Sequence, residues 1–366
     1  MKIKITSKLI EKLMAKAIMP IPTNPVIFAL GYFLLEVKDN EIIITGSDMM
    51  SVVEAREQIK SEGNCKILIP AKLAYNLIAT LNEDIVLNIK EKKLVLENKT
   101  GNFNIPILTD LSDYPQTAEV SGTKIELIPK DVVLRAIQFV EDCIASDNIR
   151  ASMAGVLFDI MKDCIKIVAT NGHKLSIFRI DVNTPNDLIP AKIVIPKEAI
   201  SILKKYTAKD GNLDIIYNQT HVKFIIDNDI VVSRLIGDAF PAYEKVIPEN
   251  NNIEAYINKS DIISSIKRLN LLSYENSIKT ELLFKENSLL LKTENAEQGR
   301  YGEEKYECKF SSDELLIAFD GVKLFKTLDK YPSSEIKLSF KNASSAMVVT
   351  DPNDDRSYSL LMPMRM

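Results

Sequence analysis

The chain of 366 residues has room for two or three domains at ~150 residues each, and 46% hydrophobic with 26% charged residues at a mean hydropathy of -0.01 excludes disordered and fibrous structure. Lys+Arg 46 against Asp+Glu 50 leave a net charge of -4. Any contact with nucleic acid must therefore come from a local basic surface, because the molecule as a whole is mildly acidic.

In chain order, Met1-Lys2-Ile3-Lys4-Ile5 alternates charge with Ile, the pattern of a strand and not of a signal peptide. Leu9, Ile10, Leu13, Met14 and Ala17 then recur at helical spacing and predict an amphipathic helix, followed by the proline-rich stretch Met19 to Pro25. Lys38-Asp39-Asn40-Glu41 reads as a hairpin turn, and Ile43-Ile44-Thr45-Gly46-Ser47-Asp48 as a strand entering a polar turn. Pro70 opens a second helix whose inward face is predicted to carry Leu73, Ala74 and Leu77. Ile85, Leu87 and Ile89 come next on one face of a strand.

The series then returns. Adding 123 to the first helix gives Val132, Val133, Ala136, Ile137 and Val140, and Ile262, Ile263, Ile266 and Leu269 follow a helix start at Asn258 or Ser260. The strand and turn recur as Ile167 to Gly172 and Leu290 to Asn295, placing Thr45, Thr170 and Thr293 at spacings of 125 and 123. The second helix recurs as Ala199, Ile200 and Leu203 behind Pro196, and as Leu324, Phe325 and Leu328. Further hairpin turns fall at Tyr217-Asn218-Gln219-Thr220 and Ile226-Asp227-Asn228-Asp229. Polar breaks near Ser121-Gly122 and Glu249 to Asn252 divide the chain into domains over 1–121, 122–250 and 251–366. The expected fold class is α+β: three repeats, each of two helices packed on antiparallel sheets.

Motifs of covalent chemistry are missing. There is no GxGxxG, GxxxxGK[ST] or GxSxG, and two histidines, His173 and His221, cannot build HExxH or a three-His zinc site. Asp351-Pro352-Asn353-Asp354-Asp355 lacks the Gly and distal Glu of a calcium loop and reads as a solvated turn. No cofactor, metal or catalytic residue is expected. Cys65, Cys143, Cys164 and Cys308 form no CxxC pair and read as buried thiols in a reducing cytosol, and no apolar run approaches the ~20 residues of a membrane span. A cytoplasmic protein without membrane contact is the expectation.

Opposite the apolar faces lie cations: Lys8, Lys12 and Lys16 on the first helix, Lys197, Lys204, Lys205 and Lys209 on the second helix of the middle third, Lys267 and Arg268, and then Lys323, Lys326 and Lys330 in the last third. One such stripe is usually a solvated face. Its recurrence on equivalent helices points to phosphate contact, which positions a protein on DNA without reading its sequence.

Three motifs then carry a resemblance. Ala169-Thr170-Asn171-Gly172-His173-Lys174-Leu175, Phe240-Pro241-Ala242-Tyr243-Glu244-Lys245-Val246-Ile247-Pro248 and the terminal Met362-Pro363-Met364-Arg365-Met366 resemble, in order and spacing, the bacterial DNA polymerase III beta subunit, the replication sliding clamp. The resemblance implies a head-to-tail homodimer closing into a ring around duplex DNA, a non-catalytic processivity factor opened by a clamp loader. It also implies a cleft that takes peptides from the polymerase III catalytic subunit and other replication and repair proteins. Carried over by position, that cleft comprises Met153, Thr170, Gly172, His173, Lys174, Leu175, Pro241, Lys245, Val246, Ser345, Leu360, Met362, Pro363, Met364, Arg365 and Met366. Lys174 and Lys245 stand where the family often has Arg. The DNA-facing set is Lys8, Lys12, Lys16, Lys197, Lys204, Lys205, Lys267, Arg268, Lys323 and Lys326. Two rival readings are an enzyme pairing His173 with a carboxylate such as Asp48 or Asp238, and a monomeric β-rich scaffold of 41.1 kDa.

Overall fold

The computed structural model describes residues 1–146, 150–182, 184, 188–207, 210–273 and 279–365. Its helices are α1 (Ser7–Ala17), α2 (Ala71–Ile78), α3 (Lys130–Val140), α4 (Lys197–Tyr206), α5 (Lys259–Asn270) and α6 (Gly321–Asp329), two in each third of the chain. Among the described residues the strands pair antiparallel, as the turn-rich sequence predicts. Among the described residues no helix is long and apolar enough to cross a membrane.

Local chemistry explains the element ends. Thr6 caps α1 by accepting from the Leu9 N–H, Asn258 caps α5 by accepting from Asp261, and Asp320 caps α6 by accepting from Val322 and Lys323. Pro70 and Pro196 occupy the cap positions of α2 and α4. The Lys38 to Glu41 hairpin turns through Asp39 at φ 52° and Asn40 at φ 63°, the left-handed pair that matches strand twist in a two-residue loop.

Compactness divides the chain into two units, one built mainly from Met1–Asp131 and Ile195–Ile236, the other mainly from Val132–Val182 and residues 237–366. The first unit holds a four-stranded sheet ordered Lys2–Thr6, Asp84–Lys90, Lys93–Glu97, Asn102–Pro106. It also holds an eight-stranded sheet ordered Cys65–Pro70, Tyr32–Lys38, Glu41–Ser47, Ser51–Gln58, Asp229–Arg234, His221–Ile226, Asn212–Tyr217, Thr123–Pro129. The second unit repeats the plan. Its nine-stranded sheet runs Ala191–Pro196, Gly155–Ile160, Cys164–Thr170, Lys174–Asp181, Asp354–Leu361, Met347–Asp351, Glu335–Phe340, Ile253–Asn258, Lys309–Phe310, and its four-stranded sheet Arg300–Glu307, Ser288–Asn295, Lys279–Lys285, Leu315–Asp320. Each long sheet is therefore two repeats joined edge to edge. The first seam pairs Ser51 with Ser233 and Val53 with Val231; the second pairs Lys174 with Leu361 and Leu175 with Leu360.

In the first repeat one core unites α1, α2 and strands of both sheets, through Ile10, Leu13, Met14, Phe33, Ile44, Ala74 and Leu87. The inward face of α2 differs from the prediction. Ala71, Ala74 and Ile78 are buried and Leu73 is 51% exposed, because the helix begins at Ala71 and its 3.6-residue turn carries positions 74 and 78 inward. Gly46 shows how tightly α1 sits on its sheet: a Cβ there would lie 1.8 Å from the Ala17 carbonyl oxygen. Gly46→Ala is expected to destabilise this repeat by about 3 kcal/mol, since backbone would have to move. A urea-unfolding midpoint equal to wild type would show that α1 can shift freely.

Candidate functional site

The second seam is where the three resembling motifs meet the sheet. Cys164–Thr170 enters a turn that closes on itself: Thr170 Oγ1 donates to the Lys174 carbonyl at 2.7 Å and accepts from the Gly172 N–H at 3.2 Å. Asn171 Oδ1 accepts from the N–H groups of His173 at 3.0 Å and Lys174 at 2.9 Å. Gly172 sits at φ +83°, a conformation that costs a residue with a side chain more than it costs glycine. The C-terminal strand Asp354–Leu361 lies alongside, and two backbone bonds pin the residues beyond it: Met362 N–H to the His173 carbonyl at 2.9 Å, and Met364 N–H to the Ala318 carbonyl at 2.8 Å. Ser345, its N–H on Asn342 Oδ1 at 2.9 Å, precedes the strand Met347–Asp351 that pairs Val348 with Leu360.

A latch holds the remaining segment. The turn Tyr243–Val246 is anchored by the Tyr243 hydroxyl, which donates to the buried Asp159 carboxylate at 2.7 Å. Lys192 lies 2.6 Å from Glu244 and 3.5 Å from Asp159, over the Tyr243 ring. Burial first, and the Glu244 carboxylate second, push the Tyr358 phenol upward.

These contacts bring the Thr170 to Leu175 turn, Leu360 to Met364 and Ser345 to one seam, with Pro241, Lys245 and Val246 on the latched segment. Leu175 and Leu360 form a buried floor, while Val246 and Met362 are exposed apolar side chains, 59% and 46%. His173, Lys245 and Arg365 are exposed, and Met153, Pro241, Pro363 and Met364 are half-buried. Thr170 is spent on the turn. The Lys174 ammonium is not available to a ligand: the residue is 5% exposed and its Nζ donates to the Asp142 carboxylate at 2.5 Å, because a lysine stem this long can turn back beneath the turn. Met366 lies outside the described residues.

The first seam carries the same turn one repeat earlier. Ser47 Oγ accepts from Met49, Asp48 Oδ1 accepts from Met50 and Ser51, Met49 sits at φ +76°, and Arg234 N–H donates to the Met50 carbonyl at 2.8 Å. Here, however, Val120 from the connecting segment packs on Val52 and Val232, all three buried. The chain covers its first seam with its own Val120, whereas Met362, next to the second seam, is exposed.

The cations fall into three groups. Lys8, Lys12, Lys197, Lys205, Lys267 and Lys326 are exposed, Lys267 lying over the Phe325 ring at 5.1 Å. Lys16 forms an ion pair with Asp229, Lys323 pairs with Asp320 at 3.3 Å, and Arg268 grips Glu304 with two bonds that hold its carboxyl at about 2, so much of their charge is neutralised locally. Lys204 is half-buried. Lys330, predicted to continue the stripe of α6, turns inward to Asp142 and Ser176 instead. Lys209 lies outside the described residues. No group of three or more potential metal ligands exists among the described residues, and His173 stands apart from any such cluster.

Three family models match in sequence: DNA polymerase III beta subunit, N-terminal domain, over residues 1–118; central domain, over 127–242; and C-terminal domain, over 244–365. The Beta sliding clamp of Pseudomonas aeruginosa is 24% identical over 340 residues, covering 92% of each chain. The crystal structure of the Pseudomonas aeruginosa DNA polymerase sliding clamp with ligand matches at a TM-score of 0.95, 21% identity and 100% of both chains. The same clamp bound to griselimycin matches at 0.95 and 21% identity, again over 100% of each chain. With the models spanning nearly every residue, and the repeated seams and turns accounted for, the chain belongs to the DNA polymerase III beta subunit family, the bacterial sliding clamps.

Proposed function

We propose that two copies of this chain join head to tail into a ring around duplex DNA and capture client proteins at the second seam of each copy. As a sliding clamp the chain is a non-catalytic processivity factor of DNA polymerase III. The observation that carries the closed ring is an unfinished repeat in the sheets. At the first seam the third strand of the first repeat's hairpin series, Ser51–Gln58, meets the last strand of the second repeat, Asp229–Arg234. At the second seam Lys174–Asp181 meets Asp354–Leu361 in the same sense. Among the described residues, the strands left without a partner of this kind are Arg300–Glu307 and Asn102–Pro106, each at the end of a four-stranded sheet. An open strand edge is an adhesive surface, and a heterologous contact repeated between copies closes into a ring when its rotation permits.

The helices agree with the strands. Across the first seam Lys16 of α1 lies 5.4 Å over the Tyr206 ring at the end of α4, and across the second Phe139 of α3 packs edge-on against Tyr331 after α6, 5.2 Å between centroids. By the same repeat α5 and α2 would meet between copies, and these are the helices that expose Leu271 and Leu73, 78% and 51%. Mass measurement is the first test: a species at twice 41.1 kDa supports closure, whereas a monomer retained on DNA rejects it. Loaded on nicked circular DNA, the dimer should stay until the circle is cut.

The exposed lysines then need only centre the duplex. Contacts of that kind give dissociation constants of ~10⁻⁴–10⁻⁶ M, and with steered association near ~10⁸ M⁻¹s⁻¹ they hold for roughly 0.1 to 10 ms, too briefly to retain a polymerase. Lys8→Glu and Lys12→Glu are expected to weaken loading uniformly across sequences and to flatten the log–log salt dependence by about one unit for each phosphate left unneutralised. An unchanged slope would show that α1 does not face the DNA. Loading itself requires a clamp loader to open the ring. Clients would be the polymerase III catalytic subunit and other replication and repair proteins, whose short segments would lay apolar side chains on the exposed Val246 and Met362. Four unpaired cysteines fit a reducing cytoplasm.

A further inference from the structure

Beneath the turn that ends at Lys174 lies a charge network in which Lys174 is buried and Asp142 and Lys330 are half-buried. Asp142 Oδ2 accepts from Lys174 Nζ at 2.5 Å, and the Asp142 carbonyl accepts from the same ammonium at 2.8 Å. Asp142 Oδ1 accepts from Lys330 Nζ at 3.2 Å. Lys330 also donates to Ser176 Oγ at 2.6 Å and lies 4.5 Å over the Phe139 ring. Ser176 faces Ser359, its register partner across the second seam, with hydroxyls 3.2 Å apart. One carboxylate thus ties together the turn Glu141–Cys143, the client turn and the end of α6, positions 32 and 188 residues away in sequence. Burial raises the Asp142 carboxyl, but Lys330 and Lys174 outweigh it and hold the group below the ordinary aspartate range. Two ammoniums facing a single carboxylate cannot tolerate its loss, since among the described residues neither pairs with another anion.

We propose that Asp142 is a positioning residue for client docking, holding the Thr170 to Lys174 turn against the second seam so that the cleft is preformed when a client segment arrives. The inference rests on the assignment of the cleft to this seam. It also fixes which cations a client meets: with Lys174 committed to Asp142, those at the rim are Lys245 and Arg365.

The test uses the full-length dimer immobilised against purified polymerase III catalytic subunit, with amide hydrogen exchange as a second readout. Asp142→Asn is expected to weaken polymerase binding at least about tenfold, with the dimer mass unchanged and Gly172 and His173 exchanging faster while α1 amides do not. Asp142→Glu should recover most of the affinity. Lys174→Met leaves the Asp142–Lys330 pair in place, so no charge is stranded; it should weaken binding similarly and add nothing on the Asp142→Asn background, because the two act as one unit. Binding by Asp142→Asn within about twofold of wild type, or independent losses that multiply in the double variant, would overturn the proposal. Removal of Met362 to Arg365 serves as the separate arm: if the polymerase still binds without it, the cleft assignment itself fails and the role of Asp142 with it.

Discussion

Leu271→Asp should turn the dimer into 41.1 kDa monomers that no longer stay on circular DNA. Leu271 is 78% exposed at the end of α5, and the next residue, Leu272, packs on the outer strand of its sheet, so closely that a Cβ at Gly302 would lie 2.5 Å from Leu272 Cδ1. An exposed leucine beside an open strand edge is stable in a soluble protein only at modest cost, and a second copy covering it would recover about 1.5–3 kcal/mol. Aspartate loses that gain and adds the cost of desolvating a carboxylate in the interface, for about 3 kcal/mol per interface. The ring contains the contact twice, so its dissociation constant should rise on the order of four powers of ten. Ile189→Asp, equally exposed at 79% but outside both four-stranded sheets, is the control and should remain dimeric. A dimeric Leu271→Asp protein would refute closure through these edges.

Deleting Met362 to Met366 is expected to abolish stimulation of the polymerase while leaving dimerisation and loading intact. Two backbone bonds, to His173 and Ala318, hold the described part of the segment beyond the last strand, so the fold should survive its loss. What disappears is the exposed Met362 side chain and the Arg365 cation. Methionine is unbranched and polarizable, suited to moulding around varied apolar partners, and an apolar anchor of this kind is worth about 2 kcal/mol or more at the centre of a small interface. For a short client peptide that is the difference between capture and loss. Stimulation at the wild-type level by the shortened protein, measured on a primed circular template, would disprove the cleft assignment.

The repeat is legible in the sequence because helical periodicity and turn chemistry are local. Leu9 to Ala17 and Val132 to Val140 announce the same helix, and Thr170-Asn171-Gly172 specifies a turn through hydrogen bonds spanning two to four residues. The seams are not legible in that way. Nothing local in Lys174–Asp181 shows that Asp354–Leu361, far along the chain, supplies its neighbour. The family resemblance draws the site residues together, yet it gives Lys174 to the ligand. Its ammonium goes to Asp142 because a carboxylate that no local pattern pairs with it happens to lie beneath the turn. Lys330 leaves the predicted stripe for the same reason. Leu73 departs from its predicted inward position because a helix of 8 residues with Ala71, Leu73, Ala74, Leu77 and Ile78 is apolar on more than one side, so periodicity alone does not choose the inward face.

Each seam joins unlike edges, the end of one hairpin series to the end of another, so an assembly closed by repeating that contact has a direction, like an arrow drawn around a wheel. A twofold axis along the bore would then carry both Thr170 to Lys174 turns onto the same rim. Whatever docks there would approach the threaded strand pair from one side only, and two guests of different kinds would sit side by side, both oriented toward the same end of the DNA.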